Sequence, residues 1–479
     1  MGRRMKSVIS LIVTALFMGC TQQSSPSPTA SIATLNLPVT LNRLSTTQFE
    51  VIIDASDLTG FSIGDVTFTL SNATRTAFSN SSGDLYKSTV TSSITSGEVP
   101  LTLSWKNYTV AKTALIFPTI DAAWDQPEAV PGYVNTDGWE DSSEISPDGK
   151  YLVVSTYSPI SLIQCILDGN LRTLPSCNTN SFGTLALQRP NFPGASRILS
   201  PTAINHTVSI LNPPDTTHAF PPVSAYVFVQ QSDGSFKEPK PVYIDWDSYS
   251  WGAPFGIHFR RKISNAVYDA YTAFGDLMLG NGNKLQSVRL DLSGSAVVLG
   301  RMYLSGGALT KSNWTMTPLN IPSLTSEAGN PASSVYGSTG DGYLFWDDES
   351  LPDTTRDLFF ATETAAGVFG SKQTVGLSLS GVDEFQPFFF ENRLYFSLVH
   401  GAILSSELTS GADPSLSGSW SALKFEIGTD SSHVHVGRIS SMGEPSLYTD
   451  SGGKKWMYFA YGISGASSLN LNIGRVRAK

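Results

Sequence analysis

From Phe49 to Asp54 the chain reads FEVIID, so that Phe49, Val51 and Ile53 share one face, and VTFTLS repeats the pattern with Val66, Phe68 and Leu70. A period of two belongs to a strand with one buried face. LYKSTVTS, VPLTLSW and YTVAKTALIF carry the alternation on to residue 118, with Gly, Asn, Asp and Ser clusters between the runs. Five or more short strands in so compact a stretch predict a small β-sandwich over residues 32–118, with Trp105 in its core.

Beyond Pro118 the chain repeats itself. An aromatic residue, a proline-containing strand, an acid- and aromatic-rich loop and a further strand recur from Trp124, Phe182, Phe236, Trp314, Phe369 and Trp420. The spacings are 58, 54, 78, 55 and 51 residues, and the long one accommodates an extra hairpin near LMLGNGNKLQSVRLDLSGSAVVLG. A period near 55 with about four strands per unit predicts a β-propeller rather than a solenoid. Residues 119–479 are therefore expected to form six blades, or seven if the long gap hides a degenerate one. In such a ring each marker opens an outer strand of one blade and leads into the inner strands of the next. The first outer strand, Trp124 to Val130, then has no preceding blade, and the last strand, Leu469 to Val476, has no outer neighbour. Pairing Ala129 or Val130 with that last strand closes the ring and covers an open edge.

One inner hairpin is explicit. ISPDGKYLVVS carries Ser146, Pro147, Asp148 and Gly149, in which Gly supplies positive φ and Asp bonds nearby amides. This resembles the Ser-Pro-Asp-Gly turn of the WD40-like, PD40 or TolB-type propeller repeat. The resemblance implies a propeller and transfers no activity. The N-terminal strands are similar to bacterial immunoglobulin-like domains in rhythm and size.

The chain start changes the picture of location. MGRRMKSVISLIVTALFMGC places Arg3, Arg4 and Lys6 before an apolar run that ends at Gly19-Cys20, too short to span a bilayer permanently. It resembles a bacterial lipoprotein signal, residues 1–20, which implies lipidation of Cys20 and a membrane anchor in the cell envelope, at the outer membrane or cell surface. The polar, Pro/Ser-rich residues 21–31 read as a flexible tether. Export permits Cys165 and Cys177 to pair across the Asp168-Gly169 turn, closing a loop worth about 3 kcal/mol; two free buried thiols are the alternative.

Only 15% of the 479 residues are charged, the net charge is −9, and no Lys/Arg cluster follows the N-terminus, which argues against a nucleic-acid partner. Candidate chemistry lies in the loops expected to enter the inner strands. NTDGWEDS, DWDSYSWGAP, GVDEFQP and HVHVGRISSMGEP supply Trp139, Glu140, Asp141, Asp245, Asp247, Tyr249, Trp251, Asp383, Glu384, His433, His435, Arg438 and Glu444. Acids mixed with aromatics suit a glycan or a cationic protein segment. Their other role is to cap turns. His433 and His435 share a strand face but lack a third ligand, so no metal or other cofactor is expected. Paired carboxylates also fit a glycosidase, and GEPSLYTD is similar to blades of five-bladed glycoside hydrolases. The expectation is a lipid-anchored envelope protein that binds a protein or glycan without catalysis, with a glycoside hydrolase-like enzyme as the alternative.

Overall fold

The computed structural model describes residues 35–136, 139–158, 224–246, 249–251, 255–276, 281–305, 308–322, 342–349, 355–365, 367–379, 381–399, 401–429, 436–465 and 469–479. The described residues are all-β, with only short 3-10 turns between the strands.

Two antiparallel sheets form the N-terminal region. One joins Val39–Arg43, Gln48–Asp54, Leu85–Ser92 and Ala73–Arg75, and the other joins Thr67–Leu70, Gly97–Trp105 and Tyr108–Ile116. They enclose one core in which Phe49, Val51, Ile53 and Trp105 are buried, as the alternation requires.

The remaining described residues form five sheets in a propeller-like arrangement. Their inner strands are Trp139–Ile145, Phe255–Ser264, Tyr343–Glu349, Glu384–Phe390 and Ile439–Thr449, each paired antiparallel with the strand that follows it. Five of the six aromatic markers behave as expected: Phe236, Trp314, Phe369, Trp420 and Trp124 each begin or shortly precede an outer strand, and the chain then passes to another sheet. The described residues make five such sheets. The sixth marker, Phe182, lies outside them, in the connection between Tyr151–Ser158 and Ser224–Gln230. Those two strands pair with each other. The extra hairpin lies further along than expected: Asn281–Asp291 is an ordinary strand of the second sheet, and the hairpin is Val297–Ser305 with Ala308–Ser312. It leaves the second sheet and adds in parallel to Phe236–Trp246, covering the outer edge of the first.

The ring closes where expected. Glu128–Ala129 pairs with Leu469–Arg477 in the register Ala129 to Gly474, and Val130 N donates to Ile473 O at 2.9 Å. The same short strand also pairs with Tyr108–Ile116, so the fifth sheet and one N-terminal sheet are a single seven-stranded sheet. Thr119–Ile120 meanwhile edges the fourth sheet. Glu128 anchors the closure. Its Oε1 accepts Arg475 Nε and Nη2 at 3.0 and 2.7 Å, and Oε2 accepts Lys112 Nζ at 2.7 Å. Burial opposes its charge, yet the two cations hold its pKa down at about 2.

Candidate functional site

Four of the five inner strands carry a left-handed residue near the same level: Ser142 (φ 58°), Gly256 (φ 55°), Gln386 (φ 55°) and Glu444 (φ 58°). At the last three the pairing register slips by one residue. Pro387 and Pro445 supply the reason in two strands, since a proline gives the ladder no N–H and a bulge absorbs the break. Left-handed φ at Gln386 and Glu444 is a strained choice for residues with a Cβ, and more so before proline. Surrounding contacts hold it in place.

Those contacts run from sheet to sheet. Glu444 accepts the backbone N–H of Ser142 on one carboxylate oxygen, and Gln386 Nε2 at 2.9 Å on the other. Its own N–H donates to Gln386 Oε1 at 3.1 Å and Ser397 Oγ at 3.0 Å. Gln386 N donates to Asp347 Oδ2 at 2.7 Å, and Asp347 Oδ1 accepts Arg356 Nε at 3.0 Å. This one chain ties the first, fifth, fourth and third sheets. His258 Nδ1 lies 3.0 Å from Glu144 Oε1, joining the second sheet to the first, and Arg260 pairs with Glu363 to join the second to the third. Gly443 leaves room for the network, because a Cβ there would come within 2.7 Å of Ser397 Oγ.

The geometry corrects the expectation that the candidate acids stand on loops. Glu140, Glu384 and Glu444 lie within inner strands and are 0%, 0% and 3% exposed. Glu140 accepts a hydrogen bond from the Thr136 hydroxyl. Trp139, 7% exposed, packs in a core with Val134, Ile145, Tyr448 and Tyr458. Asp141 and Asp383 are half-buried; Asp141 Oδ1 accepts Ser142 N at 3.0 Å, and Asp383 Oδ1 accepts Arg356 N at 2.9 Å. Arg438 is exposed. Asp247, His433, His435, Cys20, Cys165 and Cys177, like the side chains of Asp245, Tyr249 and Trp251, fall outside the described residues. Among those residues no three His, Cys, Asp or Glu side chains are grouped to hold a metal ion.

Glu384 differs from the other acids. Leu379 N donates to its Oε1 at 2.5 Å, while burial, and after it the charges of Asp357 and Asp383, push its pKa up to about 7. Burial likewise raises the pKa of Glu144 despite the His258 contact. Sequence reading missed Gln386, Ser142, Arg356 and His258. The repeated residue-Pro step of EFQP and GEP was the available signal, and it marks the bulges.

No protein family model matches the chain, and no curated protein matches it. Among solved structures, it is similar to an unknown function protein from Dyadobacter fermentans DSM 18053 (11% identity, TM-score 0.34, covering 93% of this chain and 96% of that one). It is also similar to the beta-1,2-mannobiose phosphorylase of Listeria innocua (10% identity, TM-score 0.35, covering 75% of this chain and 92% of that one). Likeness of this degree carries no functional argument.

Proposed function

We propose that the chain is a five-bladed β-propeller mounted on an immunoglobulin-like sandwich, exported and lipid-anchored through Cys20, and that the propeller recognises an envelope protein or glycan without catalysis. The supporting observation is the use to which the inner-strand acids are put. Glu444 and Asp347 spend their carboxylate oxygens on amides and side chains of neighbouring sheets, so they serve the ring and are not poised for proton transfer. A surface that recognises a partner needs this rigidity.

The test is to screen the purified full chain against envelope glycans and proteins, and against aryl glycosides for turnover. Saturable binding with no product supports recognition; product formation that disappears in Glu384→Gln replaces it with the glycosidase reading. One observation favours that second reading, since a carboxyl titrating at about 7 suits a general acid. The anchor has its own test. Cys20→Ser releases a folded protein from the membrane fraction, and unchanged fractionation with no acyl mass on the N-terminal peptide removes it.

A further inference from the structure

We propose that residues 121–125 form a strap across the fourth and fifth sheets, and that the N-terminal sandwich holds this strap shut through Arg43, so that sandwich and propeller open as one unit. The inference concerns the frame and holds whatever the ring binds.

The strap lies between two short outer strands. Thr119–Ile120 edges the fourth sheet and Glu128–Ala129 the fifth, so the chain between them crosses from one sheet to the other. It is bonded to both. On the side of the fourth sheet, Asp121 N donates to Glu426 O at 2.8 Å, Asp121 Oδ1 lies 3.0 Å from Lys424 Nζ, and Trp124 Nε1 donates to Glu426 Oε2 at 2.6 Å. On the side of the fifth, Asp125 N donates to Arg477 O at 2.8 Å, Asp125 Oδ2 accepts Arg477 Nη2 at 2.9 Å, and Lys479 N donates to Ala123 O at 2.9 Å. Trp124 is buried in one core with Ile427 of the fourth sheet, Met457 and Val476 of the fifth, and Leu115 of the sandwich.

The sandwich reaches the strap through Arg43, which ends the edge strand Val39–Arg43. Its Nη2 donates to Asp121 O at 2.6 Å and to Trp124 O at 2.9 Å, its Nε donates to Trp124 O at 3.0 Å, and its backbone N donates to Asp125 Oδ1 at 2.7 Å. A guanidinium suits this place, because its planar fork serves two carbonyls at once. Asp125 is shared in turn: one oxygen takes the sandwich and the other takes the last strand. At 5% exposure, losing either partner leaves a buried carboxylate short of donors. Two bonds away from the strap join the same bodies, from Tyr461 OH to Glu98 Oε1 at 2.7 Å and from Ile439 N to Ser96 Oγ at 3.2 Å. Opening the strap therefore disturbs two sheets of the ring and the edge of the sandwich together.

The experiment is amide hydrogen exchange with calorimetry on the full chain, wild type and Arg43→Ala. The Asp121 and Asp125 amides report on the strap, since they bond to Glu426 and Arg477 and not to Arg43. In Arg43→Ala both lose protection by about tenfold, the worth of a hydrogen bond to a charged group, and by the same factor because the strap opens as a whole. The wild type melts in a single transition whose van't Hoff and calorimetric enthalpies agree. Unchanged exchange at either amide in a folded Arg43→Ala overturns the control by Arg43, and two wild-type transitions overturn the single unit. If Arg43→Ala fails to fold, the wild type decides alone: the Asp121, Asp125 and Val51 amides share one opening free energy, and a sandwich core that opens separately from the strap is fatal to the proposal.

Discussion

Glu128 and Glu384 are both buried glutamates at sheet junctions, yet one is held at about 2 and the other pushed to about 7. Burial acts against the charge of both. The difference is the company each keeps. Glu128 meets Lys112 from the N-terminal sheet and Arg475 from the last strand, while Glu384 meets two aspartates and the N–H of Leu379. A junction that has to persist is locked by opposite charge across three segments of chain. Where burial outweighs the donors that reach a carboxyl, the group holds its proton to higher pH.

The largest effect comes from removing the lock altogether. Deleting residues 469–479 takes away Arg475 and the strand that pairs with both Lys455–Ser464 and Glu128–Ala129. Loss of the cooperative melt of the whole propeller is expected, because the penalty rivals the roughly 5–15 kcal/mol that stabilises typical domains. A truncated chain that melts like the full one defeats the closure. Next, Glu128→Ala leaves Arg475 buried and uncompensated, at a cost of about 3–5 kcal/mol in denaturant titration. The sign with pH follows from the lowered value: the contribution of Glu128 is complete above its unfolded pKa of about 4.3 and is lost as pH falls through about 2.

Glu384 reverses that sign. Its proton is bound more tightly in the folded chain, so wild-type stability declines as pH rises from about 4.3 to about 7 and is level beyond. Glu384→Gln abolishes the decline and is more stable at pH 8, on the order of 3 kcal/mol by chemical denaturation. A variant that keeps the wild-type slope shows that another group titrates. The smallest effect sharpens the comparison from the other side: Lys112→Ala leaves Arg475 on Glu128 and costs about 1 kcal/mol, with the acid limb of the stability profile moving to higher pH.

How far residues can be read without coordinates is clearest at the turn Ser146 to Gly149. Asp148 Oδ1 accepts the Ser146 hydroxyl at 2.8 Å, Gly149 N donates to Ser146 O at 2.8 Å, and Gly149 has φ 71°. All of that is chemistry within a few residues, so spacing alone reveals it. Asp148 also takes Lys262 and Tyr268 from the second sheet, at 2.8 and 2.9 Å, and nothing local signals those partners. Gln386 shows the same limit. A neutral amide beside a proline draws no attention in the chain, yet it links Glu444, Ser397 and Asp347.

The sequence by itself determined the all-β class, the alternation that buries Phe49, Val51 and Ile53, the role of the aromatic markers and the pairing of Ala129 with the last strand. Each follows from periodicity or from an open edge that must be covered, and both are written in the order of residues. Tertiary structure alone decided how the five sheets of the described residues meet, and that Glu140, Glu384 and Glu444 are buried members of strands. The fate of a carboxylate depends on which distant segments deliver cations, amides or other acids to it. That electrostatic environment is a property of the assembled ring and not of any stretch of chain.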